Sequence, residues 1–136
     1  MRFFASSLYI GLAALLLVVL SLRVIQLRYR YRVELGDGGH EPLARAIRVQ
    51  ANFVEYVPLA LLVILLADLV GHAKWTVHVM GIALIVGRLA HAWGLATAHG
   101  PSIGRSVGVG LTVLVLIAGA VLAFFGFAGE RISVAT

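Results

Sequence analysis

The stretch RAIRVQANFVEYVP, Arg45 to Pro58, places charged and amide side chains at the start of a segment that then turns apolar for a dozen residues. At about 100° of rotation per residue, a helix brings four of its polar side chains into one arc of about 80°: Arg45, Arg48, Asn52 and Glu55. Gln50 lies off this arc and Tyr56 at its edge. The spacing therefore predicts a helix that carries one polar stripe near its beginning.

The composition of the chain is that of an integral membrane protein. Hydrophobic residues make up 61% and charged residues 12%, with a mean hydropathy of +1.00, whereas about a quarter of the residues in soluble domains are charged. Four apolar stretches, at about 3–27, 43–70, 75–96 and 105–127, can each cross a bilayer core, which needs about 20 helical residues. Because these runs are continuous rather than alternating, we expect one all-α domain over 1–136, a bundle of four transmembrane helices.

The basic residues predict how the bundle is oriented. One side of the membrane would hold most of them: Arg28, Arg30, Arg32, Arg45, Arg48 and Arg105. The other side would hold only Arg2, Lys74 and Arg131. The positive-inside rule then places loops 28–44 and 97–104 in the cytoplasm and both termini outside. The first apolar stretch is too long for a signal peptide and no small-x-small cleavage site follows it, so we expect a retained helix.

Several functional classes are excluded at this point. The chain has no cysteine, so it has neither a thiolate metal site nor a thiol nucleophile of its own. The histidines at 40, 72, 78, 91 and 99 are scattered, and we expect no metal. The net charge of +5 comes from arginines beside apolar helices, where lipid head groups explain them better than nucleic acid does. Asp68, His72, His78 and His99 receive no functional role.

A second polar group lies in the third and fourth apolar stretches. Arg88 and His91 in GRLAHAWG are three residues apart, hence neighbours on one helix face, at roughly the depth of Glu55. Charges at membrane depth cost ~2.5 to 3.5 kcal/mol each and usually mark a functional site. Arg105 stands in the first turn of the fourth helix, where the macrodipole disfavours a cation.

For each of these residues, a structural or topological role without any ligand also remains open. Arg48 and Glu55 can form a purely structural pair, and Arg88 can pair with Glu55 or with a lipid phosphate. His91 can be an ordinary buried histidine. Arg105 is either a topological charge or a group that faces an anion.

The residue types together favour a peptide-like ligand of mixed charge. Guanidinium groups bind carboxylates, often in bidentate fashion. A glutamate such as Glu55 suits an ammonium group, while Asn52 and Gln50 can hydrogen-bond peptide amides. An arginine beside a thiol would also lower the pKa of that thiol and favour the reactive thiolate.

The string Arg48-x-Gln50-x-Asn52-x-x-Glu55-Tyr56-x-Pro58 resembles the signature of the MAPEG family, the membrane-associated proteins of eicosanoid and glutathione metabolism. The chain looks like a bacterial-type member similar to the microsomal glutathione transferases. This resemblance implies a homotrimer in the bacterial inner membrane, with glutathione as co-substrate between neighbouring subunits near the cytoplasmic face.

The resemblance also assigns roles residue by residue. Glutathione-binding positions of the family match residues of the second and third helices: Arg48, Gln50, Asn52, Glu55, Tyr56 and Arg88. Arg105 is the nearest counterpart of the arginine that stabilises the thiolate, and Arg45 and His91 complete the expected site. The implied reaction joins the thiolate to a lipophilic electrophile. Reduction of a lipid hydroperoxide by the same thiolate is a related alternative.

The sequence also departs from the family, and two rival functions remain. Tyrosines of close relatives are replaced by His91 and Leu95, and about three residues around HGPSIG are inserted before Arg105. A catalytically silent protein that keeps the scaffold is therefore one alternative. The other is a small proton-coupled transporter with Glu55 as its proton site, although such a site should lie near the midplane rather than behind two arginines.

Overall fold

The chain folds as four α-helices. The computed structural model describes residues 4–97 and 102–134, and the side chains of 4–96 and 102–126. The helices are α1 (Ser6–Tyr31), α2 (Glu41–Val70), α3 (Lys74–Thr97) and α4 (Ile103–Val134), with no strand in the described ranges. All four contain segments long and apolar enough to cross a membrane, which confirms the predicted fold class. Residues 1–3, 98–101 and 135–136 lie outside the described residues, and they include the expected beginning of the first helix and the first three residues of HGPSIG.

The first loop is held against the end of α1, which runs four residues beyond the predicted end at 27. Nη1 of Arg28 donates to the carbonyl oxygen of Val33 at 3.5 Å and to those of Glu34 and Gly36 at 3.0 Å. Arg32 ends the helix in the left-handed conformation, with φ 54°. Arg28, which the positive-inside rule counts only as a topological charge, thus also stabilises the loop that leads into α2.

Helix α2 is the centre of the bundle. It contacts α1, α3 and α4, whereas α1 does not contact α4 within the described residues. Its buried face is apolar apart from Asp68, which pairs with Lys74, and it continues the core into the other helices. The members with the least exposure include Val57, Ala60 and Ile64 of α2, Val77 and Leu84 of α3, and Val115 of α4. Pro58 is exposed within α2, so it interrupts the helix hydrogen bonds without entering this core.

Glycines let α3 and α4 approach closely at the end that carries Arg88 and Arg105. A Cβ atom at Gly108 would lie 2.4 Å from the carbonyl oxygen of Gly87, and one at Gly104 would lie 2.8 Å from that of Ala90. Small residues at this spacing are typical of close helix contacts in membranes. The close approach brings the last turns of α3 beside the first turns of α4.

We expect Gly108→Ala to destabilise the protein by about 1 to 3 kcal/mol, because the added methyl group overpacks the α3–α4 contact. Gly110→Ala is the matched control, since nothing lies within 4 Å of a Cβ atom there. The control should stabilise α4 by roughly 0.5 to 1 kcal/mol, as alanine replaces glycine inside a helix. Thermal unfolding in detergent, followed by circular dichroism, measures both. Equal effects of the two substitutions would contradict the close contact.

Candidate functional site

A polar crevice of about 520 Å³ opens between α2, α3 and α4. We call it the arginine crevice. Its walls come from three helices: Arg48 and Asn52 of α2, His91 and Leu95 of α3, and Ser102, Arg105, Ser106 and Val109 around the start of α4. Residues that are far apart in the sequence therefore converge on one cavity, whose size is within the range of ligand pockets, roughly 300 to 1,000 Å³.

Arg88 lies directly behind this crevice and links its three helices. The residue is 3% exposed. Its Nη1 donates to Oδ1 of Asn52 at 2.7 Å, and its Nη2 donates to the carbonyl oxygen of Gly108 at 2.9 Å. Its Nε is buried without a hydrogen-bond partner. Arg88 thus holds the side chain of Asn52 in place at the wall of the crevice.

The charge of Arg88 has no anionic partner within the described part of the chain. Both of its hydrogen-bond acceptors are neutral, and the ion pairs found there join Arg45 to Glu41, Arg48 to Glu55 and Lys74 to Asp68. A buried charge is costly unless it is paired. The arginine crevice therefore has a positive charge on its inner side that an anion would compensate.

Arg48 and Arg105 add positive charge at the walls. The side chain of Arg48 is 69% exposed, and its Nη1 lies 4.0 Å from Oε1 of Glu55, whose side chain is 51% exposed. Exposed pairs at such a distance contribute little, so Glu55 leaves Arg48 available to a ligand. The backbone N–H of Arg105 donates to Oγ of Ser102 at 3.3 Å, which caps the beginning of α4. The positive end of the α4 dipole and the Arg105 side chain both favour an anion here.

The predicted site residues do not all line the same cavity. Four of the predicted site residues line the arginine crevice: Arg48, Asn52, His91 and Arg105. His91 is 7% exposed, so it lies in the buried part of the wall. Glu55 and Tyr56 lie beside the crevice on an exposed face of α2.

Two other predicted residues face away from the arginine crevice. Nε2 of Gln50 donates to Oγ of Ser21 at 2.7 Å, which joins α2 to α1. Arg45 is held by Glu41, four residues earlier on the same helix, through Nε at 3.2 Å. It lines a separate crevice that faces α1. Neither residue is among the described side chains that line the arginine crevice.

Most of the residues that the beginning of α4 contributes to the wall were not predicted from the sequence. Ser102, Ser106 and Val109 line the crevice together with Arg105. These four positions follow the i, i+3, i+4, i+7 spacing of one helix face, so the pattern was present in the sequence. Leu95, noted only as a departure from the family, lines the cavity as well. Among the described residues no group of histidine and carboxylate side chains could hold a metal ion.

Four apolar helices, three of which enclose a cationic crevice, define a small multi-pass integral membrane protein. The model of the MAPEG family matches residues 6–125, so the chain belongs to the MAPEG family. It is similar to the inner membrane protein YecN of Escherichia coli strain K12, with 47% identity over 89 residues, which cover 65% of this chain and 68% of the relative. The protein of the same name from Escherichia coli O6:H1 gives the same identity and coverage.

We expect Asn52→Asp to stabilise the fold, because the new carboxylate would pair with Arg88 across the hydrogen bond that Asn52 makes. Stability should rise because a carboxylate would compensate the buried guanidinium charge, which the neutral amide only hydrogen-bonds. The same change should weaken the binding of anions in the crevice. Thermal unfolding in detergent measures the stability, with Gln50→Glu on the same helix as the control. Unchanged stability of Asn52→Asp would mean that the charge of Arg88 is already compensated.

Proposed function

We propose that the protein is a glutathione transferase of the bacterial inner membrane, which joins the glutathione thiolate to lipophilic electrophiles. The observation that carries this proposal is the convergence of three arginines from three helices on one crevice. Arg48 and Arg105 line it, and the buried Arg88 stands behind Asn52 with no carboxylate partner among the described side chains. Membership of the MAPEG family supports glutathione as the anion.

The groups around the crevice complement the charges of glutathione. The tripeptide offers two carboxylates, an ammonium group and two amides. Arg48 and Arg105 can bind the carboxylates or the thiolate, and the amide of Asn52 can hydrogen-bond the peptide. Glu55, at the rim beside Arg48, can receive the ammonium group. The ligand would thereby compensate the positive charge that surrounds the crevice.

Arg105 is the residue that we assign to the thiolate. A guanidinium beside the sulfur lowers the pKa of the thiol, whose proton passes to water. The thiolate then attacks the electrophilic carbon, a carbon–sulfur bond forms, and the leaving group departs with its electron pair. Fixed cations stabilise such an anion more strongly away from bulk water. Leu95 and Val109 give the crevice apolar walls against which a lipophilic substrate can pack.

A peroxidase reaction is a second use of the same thiolate. Two glutathione molecules would reduce a lipid hydroperoxide to an alcohol and water, with formation of the disulfide. The observation that favours it is the junction of polar and apolar walls in one cavity between membrane helices. His91 occupies the position of a family tyrosine and lines this cavity, where its ring can donate a hydrogen bond.

We also propose a homotrimer, with both termini outside and loops 28–44 and 97–104 in the cytoplasm. The α2 face that carries Glu55 is exposed in the single chain, and large apolar residues continue it along the helix: Val54, Tyr56, Leu59 and Leu62. A neighbouring subunit on this face would enclose the open side of the crevice. Native mass spectrometry of the detergent-solubilised protein should give the mass of three chains, and a single-chain mass would contradict the assembly.

We expect Arg105→Gln to reduce conjugation of glutathione to a lipophilic aryl halide by about 10²- to 10³-fold, the usual effect of removing one group that stabilises a developing anion. Calorimetry should show a much smaller change in glutathione binding, because Arg48 and Arg88 remain. Arg30→Gln is the control, since this exposed residue lies outside the crevice at the same end of the bundle.

Three outcomes would count against these assignments. Full turnover by Arg105→Gln would remove Arg105 from the reaction. If Glu55→Gln abolished proton-coupled export of a cationic dye but left glutathione binding unchanged, the transporter alternative would replace the transferase. Glutathione binding without turnover of any electrophile or hydroperoxide would favour the catalytically silent alternative.

A further inference from the structure

A second crevice, of about 550 Å³, lies between α1, the beginning of α2 and the last turns of α3. We call it the outer crevice. Its apolar walls include Leu16 of α1, Val49 of α2 and Leu89 of α3. Its other end is charged, with Arg23, Glu41 and Arg45. The cavity therefore combines an apolar interior with an ionic mouth.

The outer crevice is separate from the arginine crevice. Among the described residues they share no lining side chain, because they lie on different faces of α2 and α3. On α2 the outer crevice uses Arg45 and Val49, whereas the arginine crevice uses Arg48 and Asn52. A ligand that fills the outer crevice consequently lies against different residues from those to which we assign the thiol chemistry.

The charges at the mouth favour an anion. Arg45 and Glu41 form an ion pair, with Nη2 of Arg45 at 2.5 Å from Oε1 of Glu41, so these two charges offset each other. Arg23 lies on the same rim and is exposed, which makes the mouth net positive. This end of the bundle also carries the arginines of the first loop, where the end of a membrane helix meets lipid head groups.

The walls of the outer crevice are open toward the lipid. Val19 is 60% exposed, Leu89 51% and Trp93 74%. Trp93 lies near the end of α3, at the same end of the bundle as the charged mouth. Tryptophan is typical of the boundary between hydrocarbon and head groups. The mouth thus lies at head-group level and the apolar walls at the level of the acyl chains.

We propose that the outer crevice binds an anionic phospholipid of the surrounding leaflet. One acyl chain lies against Leu16, Val49 and Leu89, and the phosphate lies at Arg23, beside the ion pair of Arg45 and Glu41. The other acyl chain stays in the bilayer, which the open side of the crevice permits. This site is independent of the proposed transferase reaction.

The two tryptophans of the chain provide the test, because Trp75 and Trp93 lie at opposite ends of α3. In Trp75→Phe, fluorescence comes from Trp93 alone. Brominated acyl chains quench tryptophan on contact, so the protein is placed in phosphatidylcholine nanodiscs that contain brominated phosphatidylglycerol or, at the same mole fraction, brominated phosphatidylcholine. We expect about fivefold tighter association of the anionic lipid at Trp93, the usual contribution of one basic residue near the membrane surface.

Two controls separate a binding site from general attraction to a basic surface. Arg23→Gln should abolish the preference for the anionic lipid, whereas Arg30→Gln, which removes the same charge from the end of α1 outside the crevice, should keep it. Trp93→Phe, in which only Trp75 reports, should show no preference. Equal quenching of Trp93 by both lipids would overturn the proposal. So would an equal loss of preference in both arginine variants, or the same preference at Trp75.

Discussion

The buried guanidinium of Arg88 is the constraint on which the arrangement of α2, α3 and α4 depends. It donates to Asn52 of α2 and to the backbone of Gly108 in α4. The bond to Gly108 is possible because glycines bring the two helices into backbone contact. Since a buried cation must be hydrogen-bonded to be tolerated, the same residue that orders the three helices also places positive charge behind the crevice between them.

The lengths of the apolar stretches were sufficient to predict the four helices, because helices and closed barrels are the only structures that span a bilayer. The polar stripe was sufficient to identify Arg48 and Asn52, and the spacing of three identified Arg88 and His91 as neighbours. The separate surroundings of Arg45 and Gln50 could not be predicted. They depend on how α2 is rotated against α1, and local partners, Glu41 and Ser21, decide where the two side chains point. Helix α1 also extends beyond its predicted end at 27, to Tyr31, and Arg28 binds the carbonyl groups of the loop that follows it.

The arginines at this end of the bundle have individual surroundings rather than one common role. Arg28 binds loop carbonyls, Arg45 pairs with Glu41, and Arg48 and Arg105 line the arginine crevice. Counting them for the positive-inside rule treats them as equivalent, which is adequate for topology. It does not distinguish a charge that closes a loop from one that faces a cavity. Because α2 contributes to both crevices, the proposed thiol site and the proposed lipid site lie on two faces of the same central helix.

We propose above all that the arginine crevice of this MAPEG protein binds a thiol peptide and stabilises its thiolate. The most direct measurement is ultraviolet difference absorbance of the detergent-purified protein on addition of glutathione near neutral pH. We expect a thiolate band that grows with glutathione concentration and saturates as the crevices fill. Absence of the band, together with absence of binding by calorimetry, would contradict a thiolate site in the crevice.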